Sequence, residues 1–322
     1  DDYVWMDRFT IRNLELYHSQ SQNAVTLLDV IDKTISPMGG RMLKRWIALP
    51  LKNIERITRR HEVVSYLLDN PVVLEKIQDA TKRINDLERL ISKVATGKIN
   101  PREVVQLKSS LEAVLPIKSQ AINSNNEALK VIGEQLNECE LLRNRIKETL
   151  VEDAPVNILK GNSIAHGFSE ALDDLRTISA NSREYLDEMV KREIERTGIT
   201  SLKIGSNNVF GYYIEVRNTH KDKVPESWIR KQTLVSAERY ITEELKEYEN
   251  TILGAEEKIL ALEQEIFDKL VRWMIQYIAP VQQNASLVAQ LDCLCSFATH
   301  AQESNYTRPL LDESFDLDIK EG

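Results

Sequence analysis

The residues of this sequence that could do chemistry are mainly cations and hydroxyls gathered between residues 202 and 239. That stretch holds seven Lys and Arg against four Asp and Glu, a net charge of +3, whereas the rest of the chain carries −11. A local basic excess on an acidic chain suits non-specific contact with the phosphates of a nucleic acid. A solvated surface that binds no ligand would produce the same charge count, so charge alone leaves both interpretations open.

Ser236 is predicted to cap a helix that resumes at about Ala237. A helix N-terminus presents free N–H groups and a partial positive charge, both of which favour a phosphate, although a purely structural cap is the alternative. Arg230, Lys231 and Thr233 lie just upstream and could flank the same phosphate. The complete set of candidate phosphate-binding residues is Arg230, Lys231, Thr233, Ser236, Arg239, Lys203 and Lys221.

Sequence motifs for other kinds of chemistry are missing. There is no phosphate-binding G-x-x-x-x-G-K-[ST] loop and no G-x-S-x-G, and the five His are scattered without metal-ligand spacing. We therefore expect no catalytic residue, no metal and no cofactor, and we expect the chain by itself not to be an enzyme. No zinc finger, basic zipper or RNP aromatic pair is found either, so the basic stretch is predicted to hold a nucleic acid without reading its bases.

Three cysteines, Cys139, Cys293 and Cys295, make an odd and sparse set that indicates a reducing compartment without disulfides. The first residues contain no basic start and no apolar run, and no apolar stretch reaches 18 residues. We expect a cytoplasmic protein that has no membrane partner. The chain also begins without Met and ends without a clear helix end, which suggests a fragment.

The elements that must position the basic stretch are predominantly helical. Ser36-Pro37 is typical of a helix start, and a helical pattern continues from 53 to about 150, with breaks predicted at Pro116 and Pro155. Residues 169–197 are predicted to form one long helix that ends at Gly198. Near the start, apolar and polar residues alternate over 9–17, and this segment is predicted to form a short strand.

The pattern changes period after Gly198. Residues 205–208 are predicted to form a turn, followed by a strand with Phe210, Tyr212, Ile214 and Val216 on one face. A further strand is expected at 232–235, and a second long helix from about Ala237 to Ile278. The predicted fold is mainly α, an elongated helical core with two long antiparallel helices and a small β-rich module inserted at their tip. An ordinary insertion in a helical hairpin would have the same layout.

Several segments resemble the MutS family in their residues, order and spacing. They include Arg12-Asn13-Leu14-Glu15-Leu16, Pro37-Met38-Gly39-Gly40-Arg41, Gly211-Tyr212-Tyr213-Ile214, Ala237-Glu238-Arg239-Tyr240 and Asn305-Tyr306-Thr307-Arg308-Pro309. The resemblance covers nearly the whole chain. It implies a core and outgoing lever helix at 1–180, a clamp at 181–243, and a returning lever helix with the end of the core at 244–322.

The resemblance also implies a function. The clamp is expected to grip duplex DNA through its backbone, and ATP binding in a following domain is expected to open and close that grip. The implied partners are double-stranded DNA, a second subunit in the full-length protein and a MutL-type repair protein. The resemblance places ATP and Mg in the parent ATPase, outside this chain, and it implies association with the bacterial nucleoid.

Two departures from the family pattern are visible. Val235-Ser236 replaces a Lys-Asn pair that is common in relatives, and Lys231 stands where Arg is common. Lysine loses the bidentate geometry of arginine, so the grip is expected to be weaker. A second hypothesis is a helical scaffold whose tip binds a partner protein through exposed apolar residues such as Trp228 and Ile229.

Overall fold

The structure is a computed structural model, and it describes residues 2–19, 21, 24–207, 211–314 and 316–320. The chain folds into two compact units. The first unit comprises residues 1–148 and 270–322, and the second unit comprises residues 149–269. The fold is mainly α-helical with one small antiparallel sheet, as the sequence predicts.

Among the described residues, the helices are α1 (Arg8–Asn13), α2 (Leu27–Ile31), α3 (Pro37–Ala48), α4 (Ile54–Asp69), α5 (Pro71–Lys82), α6 (Leu87–Ala95), α7 (Pro101–Ile122), α8 (Glu127–Gln135), α9 (Glu140–Thr149), α10 (Glu170–Thr197), α11 (Glu243–Met274) and α12 (Ile278–Ser304). Short 3-10 helices cover Ile158–Lys160, Asn218–Lys223 and Ile275–Tyr277. The strands are β1 (Lys203–Asn207), β2 (Gly211–Arg217), β3 (Ile229–Thr233) and β4 (Ala237–Ile241).

Capping residues start several of these helices, and at Ser36 the sequence predicts the helix start. Ser36 accepts a hydrogen bond from the N–H of Gly39, and Pro37 occupies the first turn of α3. Asn100 and Glu103 form a reciprocal capping box at the start of α7. At the other end of a helix, Gly198 adopts the left-handed conformation that terminates α10.

The core of the first unit is built around α12. This helix is buried on nearly all sides and packs against α3, α4 and α6. Because most of α12 has no solvent-facing side, its sequence shows no clear amphipathic stripe. Cys293 joins Leu28 and Leu43 in one buried cluster, so the cysteine serves as a small apolar core residue.

Two sequence predictions for the first unit are wrong. Residues 9–17 do not form a strand, because Asp7 caps the helix α1 by accepting a hydrogen bond from the N–H of Thr10 at 2.7 Å. Pro116 does not break α7, which continues through it to Ile122. The buried residues on either side of that proline, Val114 and Ile117, pack against neighbouring helices, and this packing offsets the lost backbone hydrogen bond.

The second unit pairs the antiparallel helices α10 and α11 with the four-stranded sheet. The strand order is β1-β2-β4-β3, and all neighbours are antiparallel. Buried residues of the sheet, including Ile214, Val216 and Tyr240, pack with Met189 of α10 and Leu245 of α11. The sheet therefore has one face on the helix pair and an opposite, polar face.

The predicted boundaries of the sheet need correction. Residues 205–207 belong to β1 and not to a turn. Residues 208–210, which include Phe210, predicted to share a face with Tyr212, Ile214 and Val216, lie outside the described residues. The helix does not resume at Ala237, because 237–241 form β4 between β2 and β3. Pairing on both sides satisfies the backbone of this segment as a strand, and α11 begins only at Glu243.

Candidate nucleic-acid interface

Strand register brings Lys203, Thr233 and Ser236 to one end of the sheet, whereas Arg230 pairs with Tyr240 toward the other end. Lys203 pairs with Glu215 at the start of β1, and Thr233 pairs with Glu238 at the end of β3. Arg217 at the end of β2 pairs with Ala237, the residue that follows Ser236. The beginning of β1, the end of β2 and the turn between β3 and β4 therefore lie at the same end of the strands. We call this end the sheet end.

The turn between β3 and β4 is held by an asparagine that sequence reasoning missed. The N–H of Asn218 donates to the carbonyl of Ser236 at 3.1 Å, and its Nδ2 donates to the carbonyl of Val235 at 3.1 Å. The N–H of Leu234 donates to the carbonyl of Ala237 at 2.8 Å and closes the turn. Asparagine is common in loops, so no local pattern signals that this one reaches across to another turn.

Ser236 is not a helix cap. It lies in the turn before β4, with an exposed side chain, and the helix α11 is capped by Thr242, whose Oγ1 accepts from the N–H of Leu245 at 3.1 Å. The predicted phosphate site at a helix N-terminus therefore does not form at Ser236. An exposed hydroxyl in a turn can still donate to a phosphate oxygen.

Three candidate lysines have exposed side chains around the sheet. They are Lys203 in β1, Lys221 in the 3-10 helix Asn218–Lys223 and Lys231 at an irregularity in β3. Within the described part of the chain, neither Lys203 nor Lys231 forms an ion pair. Thr233 is exposed next to Lys231 along the strand. Among the described residues, Lys203 and Lys231 are therefore available to a polyanion without first breaking an ion pair.

Arg230 has an exposed side chain and only a weak internal partner. Its Nη1 lies 3.4 Å from Oε1 of Glu238, and 61% of the side chain is exposed. The hydroxyl of Tyr240 donates to the other oxygen of Glu238, and this hydrogen bond is the largest cause of the lowered pKa of Glu238. Burial, reinforced by the same carboxylate, raises the pKa of Tyr240 to about 12. Glu238 thus stays ionised beside Arg230 and competes with phosphate for it.

Arg239 is the candidate most engaged inside the protein. Its Nε donates to Oε2 of Glu215 at 3.0 Å, its Nη1 donates to Oε1 of Gln232 at 3.0 Å, and its guanidinium lies 4.2 Å from the ring centroid of Tyr213. Cross-strand register places these partners around it, since both Glu215 and Gln232 pair with Arg239. Sequence reasoning missed all three partners because they come from different strands.

The apolar residues proposed as anchors for a partner protein are not both accessible. Trp228 is buried in the cluster beneath the sheet, with its ring centroid 6.0 Å from that of Tyr240, so the prediction that it is exposed is wrong. Ile229 is half exposed, and the side chain of Val235 in the turn is fully exposed. A single exposed Val and one partly exposed Ile make a small apolar surface.

Within the described residues, no group of three or more His, Cys, Asp or Glu is arranged to hold a metal ion. The helices described also include none with the length and apolar character needed to cross a bilayer. The chemistry available at the sheet end is therefore that of exposed cations and hydroxyls.

Comparison with known proteins gives consistent matches over the chain. Residues 9–298 match the family model described as MutS domain III. The chain is 67% identical over all 322 residues to the DNA mismatch repair protein MutS of Christiangramia forsetii, and 67% identical over the same length to that of Flavobacterium johnsoniae. The protein of the same name from Flavobacterium psychrophilum is 65% identical. The chain spans 37% of the length of each of these relatives.

Proposed function

The chain belongs to the MutS family, and on this premise we propose that it serves DNA mismatch repair by gripping duplex DNA at the sheet end of its second unit. The observation that carries the proposal is that strand register places the exposed side chains of Lys203, Thr233 and Ser236 at the sheet end, with the exposed Lys231 two residues before Thr233. Lys and hydroxyl side chains bind phosphate oxygens and carry no base-reading pattern, so the grip is expected to be independent of sequence.

The candidate phosphate-binding residues can be ranked by whether their side chains already bind another residue of the sheet. Lys203, Lys221, Lys231, Thr233 and Ser236 are exposed and can contact phosphates directly. Arg230 must leave or share Glu238, and Arg239 must leave Glu215 and Gln232. We propose Lys231 as the principal cationic contact and Arg239 mainly as a residue that holds the strands together.

Further parts of the proposal follow from the family. The clamp is assigned to 181–243, between the lever helices, and the longer protein is proposed to act as a homodimer with a MutL-type partner in the bacterial cytoplasm. ATP binding beyond this chain is proposed to open and close the grip, with α10 and α11 relaying the movement. The chain itself is proposed to contribute no catalytic residue and no cofactor.

The salt dependence of DNA binding tests the grip. Fluorescence anisotropy of a labelled random-sequence duplex is measured with the 322-residue chain from about 0.02 to about 0.2 M salt. Each lost phosphate contact should flatten the slope of log K against log salt by about one unit, so Lys231→Ala and Arg230→Ala should each do so. Lys160→Ala, an exposed Lys elsewhere in the second unit, is the matched control and should leave the slope unchanged.

Variants that lack a hydroxyl distinguish the contribution of hydrogen bonds to DNA binding from that of charge. Thr233→Val and Ser236→Ala should weaken binding by up to about tenfold without changing the slope, because no charge is lost and a net hydrogen bond contributes about 1 kcal/mol. Slopes unchanged in both the Lys231 and Arg230 variants would remove those residues from the site. No binding to any duplex at the lowest salt concentration would favour the scaffold hypothesis.

A further inference from the structure

A cavity of about 240 Å³ lies in the first unit, beside the last turns of α12. Two of its walls are helix faces, because Val64 and Leu68 of α4 lie one turn apart, as do Phe297 and Ala301 of α12. These side chains make the two walls largely apolar. An apolar cavity of about 150 Å³ can already hold benzene, so this cavity has room for a ring with a short polar substituent.

The third wall comes from the residues that follow α12, in one of the segments that resemble the MutS family. Asn305 ends the helix in the left-handed conformation, with a φ of 54°, and the N–H of Tyr306 donates to the carbonyl of Ala301 at 3.0 Å. The chain turns back at this point, and residues 306–309 line the cavity. The segment therefore builds a concave surface that the proposed DNA grip does not use.

The charge around the cavity favours an anion. The described residues that line it include no Asp or Glu, although the chain contains 50 of them. Arg308 lines the cavity with an exposed side chain, and in the described part of the chain no carboxylate pairs with it. Ser65 and Thr307 add hydroxyl groups to the same lining. Guanidinium and hydroxyl groups are hydrogen-bond donors that suit a carboxylate.

Two histidines also line the cavity. His300 is 8% exposed, and its buried Nε2 has no hydrogen-bond partner among the described residues. The ring of Tyr306 packs edge-on against it, with the ring centroids 4.9 Å apart. A buried polar atom without a partner is rare in a folded protein, and a ligand is one explanation for it. The pKa of His61 is lowered, first by burial and then by the charge of Arg308, so Arg308 is the permanent cation of the cavity.

We propose that this cavity binds a small carboxylate with an apolar body. The carboxylate contacts Arg308, and the apolar body packs among Val64, Leu68 and Phe297. A molecule in this position contacts α4, α12 and residues 306–309 together, and so holds the turn after α12 against the two helices. The site lies within the first unit and shares no residue with the sheet end, so it does not depend on the proposed DNA grip.

Titration with sodium benzoate and with benzyl alcohol tests the site, because the two probes share a phenyl ring and differ in charge. The 322-residue chain is labelled selectively at histidine, and NMR follows the Cε1–H group of each of the five His. Replacing the histidines by Gln one at a time assigns the five signals. Benzoate should shift the signals of His61 and His300 and leave those of His18, His166 and His220 in place.

Benzyl alcohol should bind about tenfold more weakly than benzoate, because it forms no charge-assisted hydrogen bond with Arg308. A bound carboxylate favours the charged imidazole, so the pKa of His61 should be higher in the benzoate complex than in the benzyl alcohol complex. Equal affinities for the two probes would overturn the proposal. Signals of His61 and His300 that stay unshifted up to the solubility limit of benzoate would also overturn it.

Variants of the lining residues locate the bound probe. Arg308→Gln should weaken benzoate binding about tenfold and leave benzyl alcohol binding unchanged. Arg83→Gln removes another exposed Arg of the first unit and is the matched control, with both affinities unchanged. Ala301→Leu should fill part of the cavity and weaken the binding of both probes, while circular dichroism checks that the helices are retained. Benzoate binding that survives Arg308→Gln unchanged would contradict the assigned contact, and full binding of both probes by Ala301→Leu would exclude this cavity as the site.

Discussion

Gly39 shows how one residue of a family motif is dictated by a side chain that is distant in sequence. A Cβ at this position would lie 2.2 Å from Oδ2 of Asp292. The Asp292 carboxylate is buried and accepts from the N–H of Ile35 at 2.9 Å and from the N–H and Oγ of Ser36, both at 2.7 Å. Burial raises the pKa of Asp292, and these hydrogen bonds oppose that rise by favouring the carboxylate. Gly39 is therefore required by the carboxylate that organises the start of α3.

At the residue scale, Gly39→Ala is expected to destabilise the first unit by roughly 1–3 kcal/mol, the usual cost of forcing a methyl group into a packed site. Gly40→Ala is the matched control, because its nearest contact would be Oγ1 of Thr34 at an ordinary 3.4 Å. Urea unfolding followed by circular dichroism measures both variants. Equal midpoints for the two alanine variants would show that Asp292 moves aside without cost.

The helices α10 and α11 are connected at the sheet by a charged group that responds to acid. Glu244 binds Arg192 and accepts a hydrogen bond from the hydroxyl of Tyr185. The hydrogen bond from Arg192 is the largest cause of the lowered pKa of Glu244, followed by that from Tyr185. A carboxyl group with a lowered pKa in the folded state stabilises the fold above its unfolded value of 4.5, and this contribution is lost as pH falls through the folded pKa.

At the element scale, Glu244→Gln is expected to lower the stability of the second unit at neutral pH and to make stability less dependent on pH below about 4.5. Glu247→Gln, one turn further along α11 with an exposed side chain, is the matched control and should follow the unsubstituted chain. Hydrogen exchange of α10 and α11 between about pH 3 and about pH 7 reports the difference. Parallel pH profiles for Glu244→Gln and the unsubstituted chain would contradict the role assigned to Glu244.

The whole molecule separates its charge into a basic stretch and an acidic remainder. Residues 202–239 carry +3 and the rest of the chain −11. The acidic remainder repels a polyanion at low salt, where the screening length is about 30 Å at 0.01 M, and has little effect near 0.15 M, where it is about 8 Å. On the proposed function, the basic stretch is therefore expected to bind phosphates at physiological salt although the chain as a whole is acidic.

At the scale of the whole molecule, the triple variant Glu134→Gln, Glu140→Gln, Glu148→Gln should bind duplex DNA more tightly than the unsubstituted chain at about 0.01 M salt. All three side chains are exposed in the first unit. Near 0.15 M salt the two affinities should converge, since the repulsion is screened. Anisotropy titrations at both salt concentrations measure the effect. A gain that persists at the higher concentration would indicate that these residues lie at the DNA-binding surface.

The sequence determined the elements whose signals are local. Ser36-Pro37 and Gly198 mark helix ends that the structure confirms, and the change of period after Gly198 predicted the small sheet. The basic excess of residues 202–239 is also a property of the sequence. These features can be read from the sequence because a helix cap or an alternating strand pattern depends only on residues that are close together along the chain.

The tertiary structure alone decided the features that depend on residues far apart in the sequence. Residues 237–241 are a strand because β2 and β3 pair with them, and Ser236 therefore lies in a turn and caps no helix. Trp228 is buried by the sheet core, and Arg239 is held by Glu215 and Gln232 from two other strands. Each of these outcomes is fixed by contacts between segments separated along the chain, whose energies outweigh local propensity and leave no pattern in the nearby sequence.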